Sequence, residues 1–175
     1  MADKNMFLDE YVFKGLQCDK VIDLVNLSID SASETKIFNS VIELFIFSAL
    51  VGCFFNRKAK PDKDKSRTKK IFAGQFNTHI TELKLVFKFV MLTAKYEAVD
   101  DITRLNKTFR NPETDENYAE FEEYMLGGLE EIHERLILDT NKVYTDYLTS
   151  INKLLSDIKS KKEEDTIIPS NDDFF

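Results

Sequence analysis

The stretch Ile37 to Lys70, IFNSVIELFIFSALVGCFFNRKAKPDKDKSRTKK, decides the fold. Among the 19 residues Ile37 to Phe55, only Asn39, Ser40, Glu43, Ser48 and Gly52 are not apolar. With no linker between them, the chain then enters Asn56 to Lys70, which carries eight Lys or Arg against Asp62 and Asp64. A helix that is apolar on every side belongs in a core. A membrane span needs ~20 uninterrupted apolar residues, whereas Glu43 interrupts this run and the basic residues flank one end only. Ile37 to Phe55 is therefore expected to be the buried central helix of a soluble domain. Residues 56–70, broken by Pro61, are expected to be an exposed basic loop that does not continue it.

Upstream, Ser31 with Glu34 three residues later reads as a capping box opening that helix. Asp19 is a plausible N-cap for a preceding helix whose apolar residues are Val21, Ile22, Leu24, Val25 and Leu27. Residues 1–17 alternate weakly between apolar and polar, which fits either an arm across the domain or a short first helix. Downstream, Ile71 to Phe76 is a short helix or an extended piece. Thr78 or Thr81 caps a helix to about Tyr96, with Ile80, Leu83, Val86, Phe87, Val90, Met91 and Ala94 at three- and four-residue spacing. A shorter helix covers Val99 to Lys107 and ends at Asn111-Pro112.

Residues 115–160 read as helical, interrupted at Gly127-Gly128 and at Asp139-Thr140-Asn141. Each Gly costs a helix ~1 kcal/mol relative to Ala, so the pair predicts a bend or a close helix contact. Tyr147, Ile151, Leu154 and Ile158 form a two-repeat coiled-coil seam, which suits a partner helix or the domain's own core. The expected architecture is all-α: one helical domain over 1–160 and a flexible acidic-aromatic tail over 161–175.

The formal charge of −7 conceals an asymmetry, because residues 56–70 hold +6 and the other 160 residues −13. A polyanion has one place to land. Each Lys or Arg that neutralises a phosphate releases a counterion, so Arg57, Lys58, Lys60, Lys63, Lys65, Arg67, Lys69 and Lys70 are candidate nucleic-acid contacts. The plainer reading is a solubilising loop beside a very hydrophobic helix. No aromatic residue lies between Asn56 and Lys70, which favours duplex or backbone contact over stacking on single strands. The second candidate is the end of the chain, where Asp172, Asp173, Phe174 and Phe175 resemble the acidic, Phe-terminated tails by which single-stranded-DNA-binding proteins recruit partners; an ordinary polar end is the plainer reading there too.

Catalytic and metal chemistry find little support. Glu130 and His133 have the Glu-x-x-His spacing of di-iron bundles, but His79 has Phe76 at that spacing and no second copy exists. There is no Gly-rich phosphate loop, no Gly-x-Ser-x-Gly and no Cys-His nucleophile with an orienting group. Cys18 and Cys53 are too few for a disulfide framework, and a reducing cytoplasm is expected. The N-terminus lacks the features of a signal peptide. No catalytic residue, cofactor or metal is expected.

Two stretches carry a family resemblance. Ile42-Glu43-Leu44-Phe45-Ile46-Phe47-Ser48-Ala49-Leu50-Val51-Gly52 precedes the basic residues, and Phe121-Glu122-Glu123-Tyr124-Met125-Leu126-Gly127-Gly128-Leu129-Glu130 comes later. Together they resemble the small helical proteins associated with bacterial DNA phosphorothioation (Dnd) systems. Those proteins show a Phe-rich helix ending in Ala-x-x-Gly ahead of a basic stretch, then a Glu-Glu-Tyr-Ala-x-Gly-Gly-like element. The resemblance covers roughly Asp19 to Leu136. Here Met125 stands where a small residue is usual, the basic insert is long, and the helix and tail after Leu136 are additional. These departures leave open a different defence system built on the same domain, for instance one with an SMC-like ATPase. The resemblance implies a non-enzymatic accessory subunit of an antiphage or DNA-modification complex and carries no catalytic residue. Three roles follow: DNA contact through 57–70; adaptor docking on a large ATPase or nuclease through the Val143 to Ile158 helix and the Asp172 to Phe175 tail, with the basic loop incidental; or, at lower weight, a carboxylate-based nuclease subunit.

Overall fold

A computed structural model describes residues 7, 9–30, 35–94, 100–110, 112, 114–138 and 144–164. In chain order the elements are β1 (Tyr11–Lys14), α1 (Gly15–Asn26), β2 (Ser28–Asp30), β3 (Thr35–Lys36), α2 (Val41–Phe55), β4 (Thr68–Ile71), α3 (Ala73–Thr78), α4 (Ile80–Thr93), α5 (Asp101–Leu105), α6 (Asp115–His133) and α7 (Tyr144–Glu164). Single π-helical turns, Asn106–Arg110 and Glu134–Leu138, extend α5 and α6. The protein is mostly α-helical, and none of its described helices is long and apolar enough to cross a membrane.

The apolar run is the central helix, as its composition requires. Among its residues from Val41 on, only Glu43 is exposed. The helix begins at Val41 rather than Ile37 because the polar residues at its start form the cap. The Ser40 hydroxyl accepts from Glu43 N at 3.3 Å, and the Glu43 carboxylate reaches back to accept from Asn39 N at 2.9 Å. Ser31 and Glu34, expected to supply that cap, lie outside the described residues. The helix ends at Phe55, where Asn56 takes a left-handed conformation with φ 50°. Arg57 N then bonds Gly52 O at 2.9 Å and Asn56 N bonds Cys53 O at 3.1 Å, a Schellman arrangement that turns the chain back across the helix end.

The interhelical contact that organises the core joins α2 to α6 through glycine. A Cβ on Gly128 would overlap the Ser48 carbonyl, and one on Gly52 would overlap the Tyr124 carbonyl. The Gly127-Gly128 pair is therefore a close approach, one of the two outcomes its sequence predicts. Phenylalanines fill the space around α2. The Phe45 ring meets those of Tyr11, Phe13, Phe76 and Phe121, and Phe7 bridges Phe76, Phe87 and Phe121.

Several boundaries differ from expectation. Two short antiparallel ribbons, β1 with β4 and β2 with β3, supplement the helices. β1 settles the ambiguity of the first residues in favour of an arm, since Tyr11 and Phe13 alternate inward and dock on the core. α1 starts at Gly15, one turn before Asp19, because its cap comes from elsewhere in the chain, as described below. α4 starts at Ile80 after His79, while the Thr78 hydroxyl bonds Gly74 O within α3 and so caps nothing downstream. Asp100 caps α5 by accepting from Thr103 N at 2.8 Å, and Thr114 caps α6 by accepting from Asn117 N at 3.1 Å. The expected break at Asp139-Thr140-Asn141 and the segment Tyr96–Val99 lie outside the described residues, as do residues 165–175; α7 itself runs to Glu164.

Candidate nucleic-acid interface

The basic stretch is exposed along most of its length, yet its backbone is tied down. Leaving α2, it crosses α6 where Gly127 has no side chain. A Cβ there would overlap the Arg57 carbonyl and lie 2.8 Å from the Lys58 Cα. Ala59 N donates to Glu123 O at 2.9 Å. The chain then crosses the start of α1. Gln17 Nε2 donates to Lys60 O at 2.9 Å, and its Oε1 accepts from Asp62 N at 3.0 Å. Asp62 Oδ2 accepts from Leu16 N at 2.9 Å, so an acid 46 positions away supplies the cap that Lys14 cannot give α1. Gly15 sits opposite that carboxylate with φ +51°, a conformation L side chains rarely adopt. Gly15 N donates to Arg67 O at 3.0 Å, after which β4 pairs with β1 in the register Tyr11 with Ile71 and Lys14 with Thr68. The expected solvated flap is thus a strap anchored at both ends.

Within the strap, Asp64 N donates to Asp62 Oδ1 at 2.9 Å and Ser66 N to Asp64 Oδ1 at 2.8 Å. Hydrogen bonds from backbone Asp64 N and Leu16 N hold the Asp62 carboxyl below the usual carboxylate range, and those from Ser66 do the same for Asp64. The two acids are consumed by turn geometry, which leaves Lys63 and Lys65 facing solvent.

The eight cations divide into two groups. Arg57 Nη1 lies 2.7 Å from Glu131 Oε2, and Nη2 lies 2.5 Å from Glu134 Oε1 and 3.4 Å from Glu130 Oε2. Lys58 Nζ lies 3.0 Å from Glu120 Oε1 and 4.5 Å from the centre of the Tyr124 ring. Tyr124, pushed up to about 12 chiefly by burial, donates its hydroxyl to Asn56 Oδ1 at 3.2 Å. Arg67 meets Asp19 at 2.6 Å and Lys70 meets Glu10 at 2.8 Å. Lys60, Lys63, Lys65 and Lys69 form no ion pair among the described residues. Lys14 lies on the outer face of the ribbon, because Tyr11 and Phe13 occupy the inner one; Lys69, paired with Phe13, is half-buried on that inner side.

Arg57 latches the strap to the acidic face of α6. Its hydrogen bond to Glu134 is the main influence raising the guanidinium above its ordinary value and lowering the Glu134 carboxyl. At Glu131, burial opposes ionisation, but hydrogen bonds from Arg57 and Arg135 outweigh it and hold that carboxyl down as well. A carboxylate with a depressed folded pKa adds stability above its unfolded value, and loses it as pH falls through the folded one. Arg57→Met is expected to cost ~1–2 kcal/mol at pH 7, discounted for partial exposure. The difference from wild type should shrink below pH ~4, where unpaired Glu protonates. Thermal unfolding of both proteins across pH 3 to 7 checks this; a gap that stays constant with pH would contradict it.

The remaining expected sites are placed as follows. Leu154 of the α7 seam is 2% exposed, and Ile151 and Ile158 lie partly buried against the chain's own core, so this stretch of the seam faces inward. The side chain of Tyr147 and residues Asp172, Asp173, Phe174 and Phe175 lie outside the described residues. His133 Nε2 sits 3.0 Å from Asp23 Oδ2, while Glu130 meets Lys20 at 3.2 Å in addition to Arg57. Both members of the Glu-x-x-His pair are engaged in cross-helix contacts, and no group of three metal-ligating side chains occurs among the described residues. Three features of the strap have little signal in the sequence. Asp62 and Gln17 act through a long-range turn, and Lys14 is placed by strand pairing. Arg57 is legible as a cation, though its carboxylate partners are not.

Comparison with known families supplies the context for this geometry. Residues 19–170 match the family described as DNA sulphur modification system-associated protein 4. The chain belongs to this family. The match extends through α7, beyond the span of the sequence resemblance, so that helix belongs to the family domain. No curated protein and no solved structure matches the chain. Membership associates the protein with a DNA sulphur modification system and is consistent with an accessory role in it.

Proposed function

We propose that this protein is a non-catalytic, intracellular accessory subunit of a DNA-directed antiphage system, and that it contacts the duplex backbone through Lys60, Lys63, Lys65 and Lys69. One observation supports the reading: four lysines that form no ion pair among the described residues, Lys60, Lys63 and Lys65 exposed and Lys69 half-buried, lie along a strap whose backbone is fixed at both ends. Prior ordering means that little conformational entropy remains to be lost when phosphates are engaged. Arg57 and Lys58 hold the strap in place in this reading, and Arg67 and Lys70 contribute only where their partners, half-buried Asp19 and exposed Glu10, release them.

Each phosphate neutralised adds ~0.9 to the slope of log affinity against log salt. Substituting Lys60, Lys63, Lys65 and Lys69 with Ala is therefore expected to reduce that slope by ~3–4 in duplex-DNA titrations between 50 and 200 mM salt. Arg57→Met with Lys58→Met is expected to leave the slope unchanged while lowering stability. An unchanged slope in the quadruple variant would remove the proposal.

The adaptor reading, with a large SMC-like ATPase or nuclease as partner, is supported by a different observation. Ile102, Leu105 and Phe109 present an apolar stripe that is at least half exposed. The described part of the α7 seam supports it less, since Leu154 is already buried at home.

A further inference from the structure

Ile102, Leu105 and Phe109 stand at three- and four-residue spacing along α5 and the π turn that extends it. They are 72%, 50% and 55% exposed. Thr108 and Arg104 hold the opposite side. Thr108 is fully buried, and Arg104 Nη1 donates to Leu92 O at 3.3 Å, so this segment rests on α4 by its polar face and turns its apolar face to solvent. That inverts the usual arrangement of an amphipathic helix and leaves an apolar surface unpartnered.

The rim of the stripe is cationic at the Phe109 end. Lys88 Nζ lies 5.7 Å from the centre of the Phe109 ring, Lys84 sits one turn earlier on α4, and Arg110 adjoins Phe109. All three are exposed and form no ion pair among the described residues. Beyond the last described residue, Glu164, the sequence continues DTIIPSNDDFF. It carries Asp165, Asp172 and Asp173, no cation, and Ile167, Ile168, Phe174 and Phe175 as apolar anchors. These eleven residues reach up to ~36–40 Å when extended, about the diameter of a domain of this size, so the tether permits contact within one molecule.

We propose that the chain's own residues 165–175 dock on the exposed Ile102–Leu105–Phe109 face, with Phe174 and Phe175 against the stripe and Asp172 and Asp173 facing Lys84, Lys88 and Arg110. The two surfaces match in both respects that matter, apolar against apolar and acidic against basic. The inference does not depend on the DNA reading, since no strap residue takes part. It gives the acidic-aromatic tail a first binding site within its own chain, for which an outside partner would have to compete.

The test uses a fluorescently labelled peptide of residues 165–175 and the full chain with Asp172→Asn, Asp173→Asn, Phe174→Ala and Phe175→Ala, followed by anisotropy. The tail-substituted chain should bind the peptide saturably and more weakly as salt rises. The intact chain should bind at least ~10-fold more weakly, because its own tether supplies a millimolar effective concentration of competitor. Phe109→Glu in the tail-substituted chain should abolish binding, and Lys88→Glu with Arg110→Glu should weaken it at least ~10-fold while preserving far-UV circular dichroism. The proposal falls if the peptide does not bind, if Phe109→Glu leaves binding unchanged, or if the intact and tail-substituted chains bind equally. It falls also if the intact chain sediments as a dimer that Phe109→Glu splits, which would give the face to a second copy.

Discussion

Gly128→Ala is expected to destabilise the protein by on the order of 4 kcal/mol or more, enough to bring a domain of ordinary stability near its unfolding threshold. Overpacking a core usually costs ~1–3 kcal/mol, because side chains rotate away from the added atom. That relief is absent here. The atoms a new Cβ would overlap are the Ser48 carbonyl oxygen and the Gly52 amide nitrogen of α2. Both belong to the backbone of a helix packed nearly all round, so the only accommodation is to move α2 and α6 apart along their shared interface. Gly52→Ala meets the Tyr124 carbonyl from the other side and should cost a similar amount. Gly127→Ala should cost less, since the obstructing atoms belong to the strap at Arg57 and Lys58, which can shift at the expense of its hydrogen bonds. Gly74→Ala is the control. Nothing lies within 4 Å of its new Cβ, and replacing a helical glycine should add ~0.5–1 kcal/mol. Denaturant midpoints of the four variants test the ordering. A Gly128→Ala protein within 1 kcal/mol of wild type would mean that the helices do not meet as described.

How much of this was readable beforehand follows the range of the interactions involved. The central helix is legible because a 19-residue run with five non-apolar positions has one soluble solution, and its composition settles burial without knowledge of any neighbour. The glycine pair announces a close contact for the same local reason, although its partner, Gly52, cannot be named from spacing. What the sequence hides is set by distant groups. Asp62 caps α1 from 46 residues away, so Asp19 looked like the cap and proves to be Arg67's counterion. Four of the eight basic residues are neutralised by acids on α6, α1 and the segment preceding β1. Counting charge along the chain gives the field of the stretch and says nothing of which cations remain available. The apolar face of α5 is a different omission. Ile102, Leu105 and Phe109 have helical spacing, which ordinarily points inward, and only the packing of Arg104 and Thr108 against α4 shows that it points out.

Phe45→Ala is the second large effect, expected at ~3–5 kcal/mol. Phe45 is 1% exposed, and its ring centre lies 5.4 Å from that of Tyr11, 6.3 Å from Phe13, 5.5 Å from Phe76 and 6.1 Å from Phe121. Those rings come from β1, α3 and α6, so the cavity would open where three elements converge and where none can collapse without losing its other contacts. Edge-to-face pairs add ~0.5–1.5 kcal/mol each beyond buried area, which places the expectation toward the upper end of the range. Phe45→Leu retains most of the volume and should cost ~1–1.5 kcal/mol. The consequence for function runs through β1, whose Tyr11 and Phe13 rest on Phe45 and whose backbone holds β4, the far anchor of the strap. In Phe45→Leu the backbone amides of the β1–β4 ribbon should exchange faster with solvent than those of α2, since the ribbon has only two strands and both inward rings of β1 rest on Phe45. If the strap contacts DNA as proposed, affinity should then fall several-fold while its salt slope stays at the wild-type value, because Lys60, Lys63, Lys65 and Lys69 are all present and only their prior ordering is weakened. A loss of slope in Phe45→Leu would mean that the core residue sets how many phosphates are engaged, and the strap would then be a rigid template for the duplex.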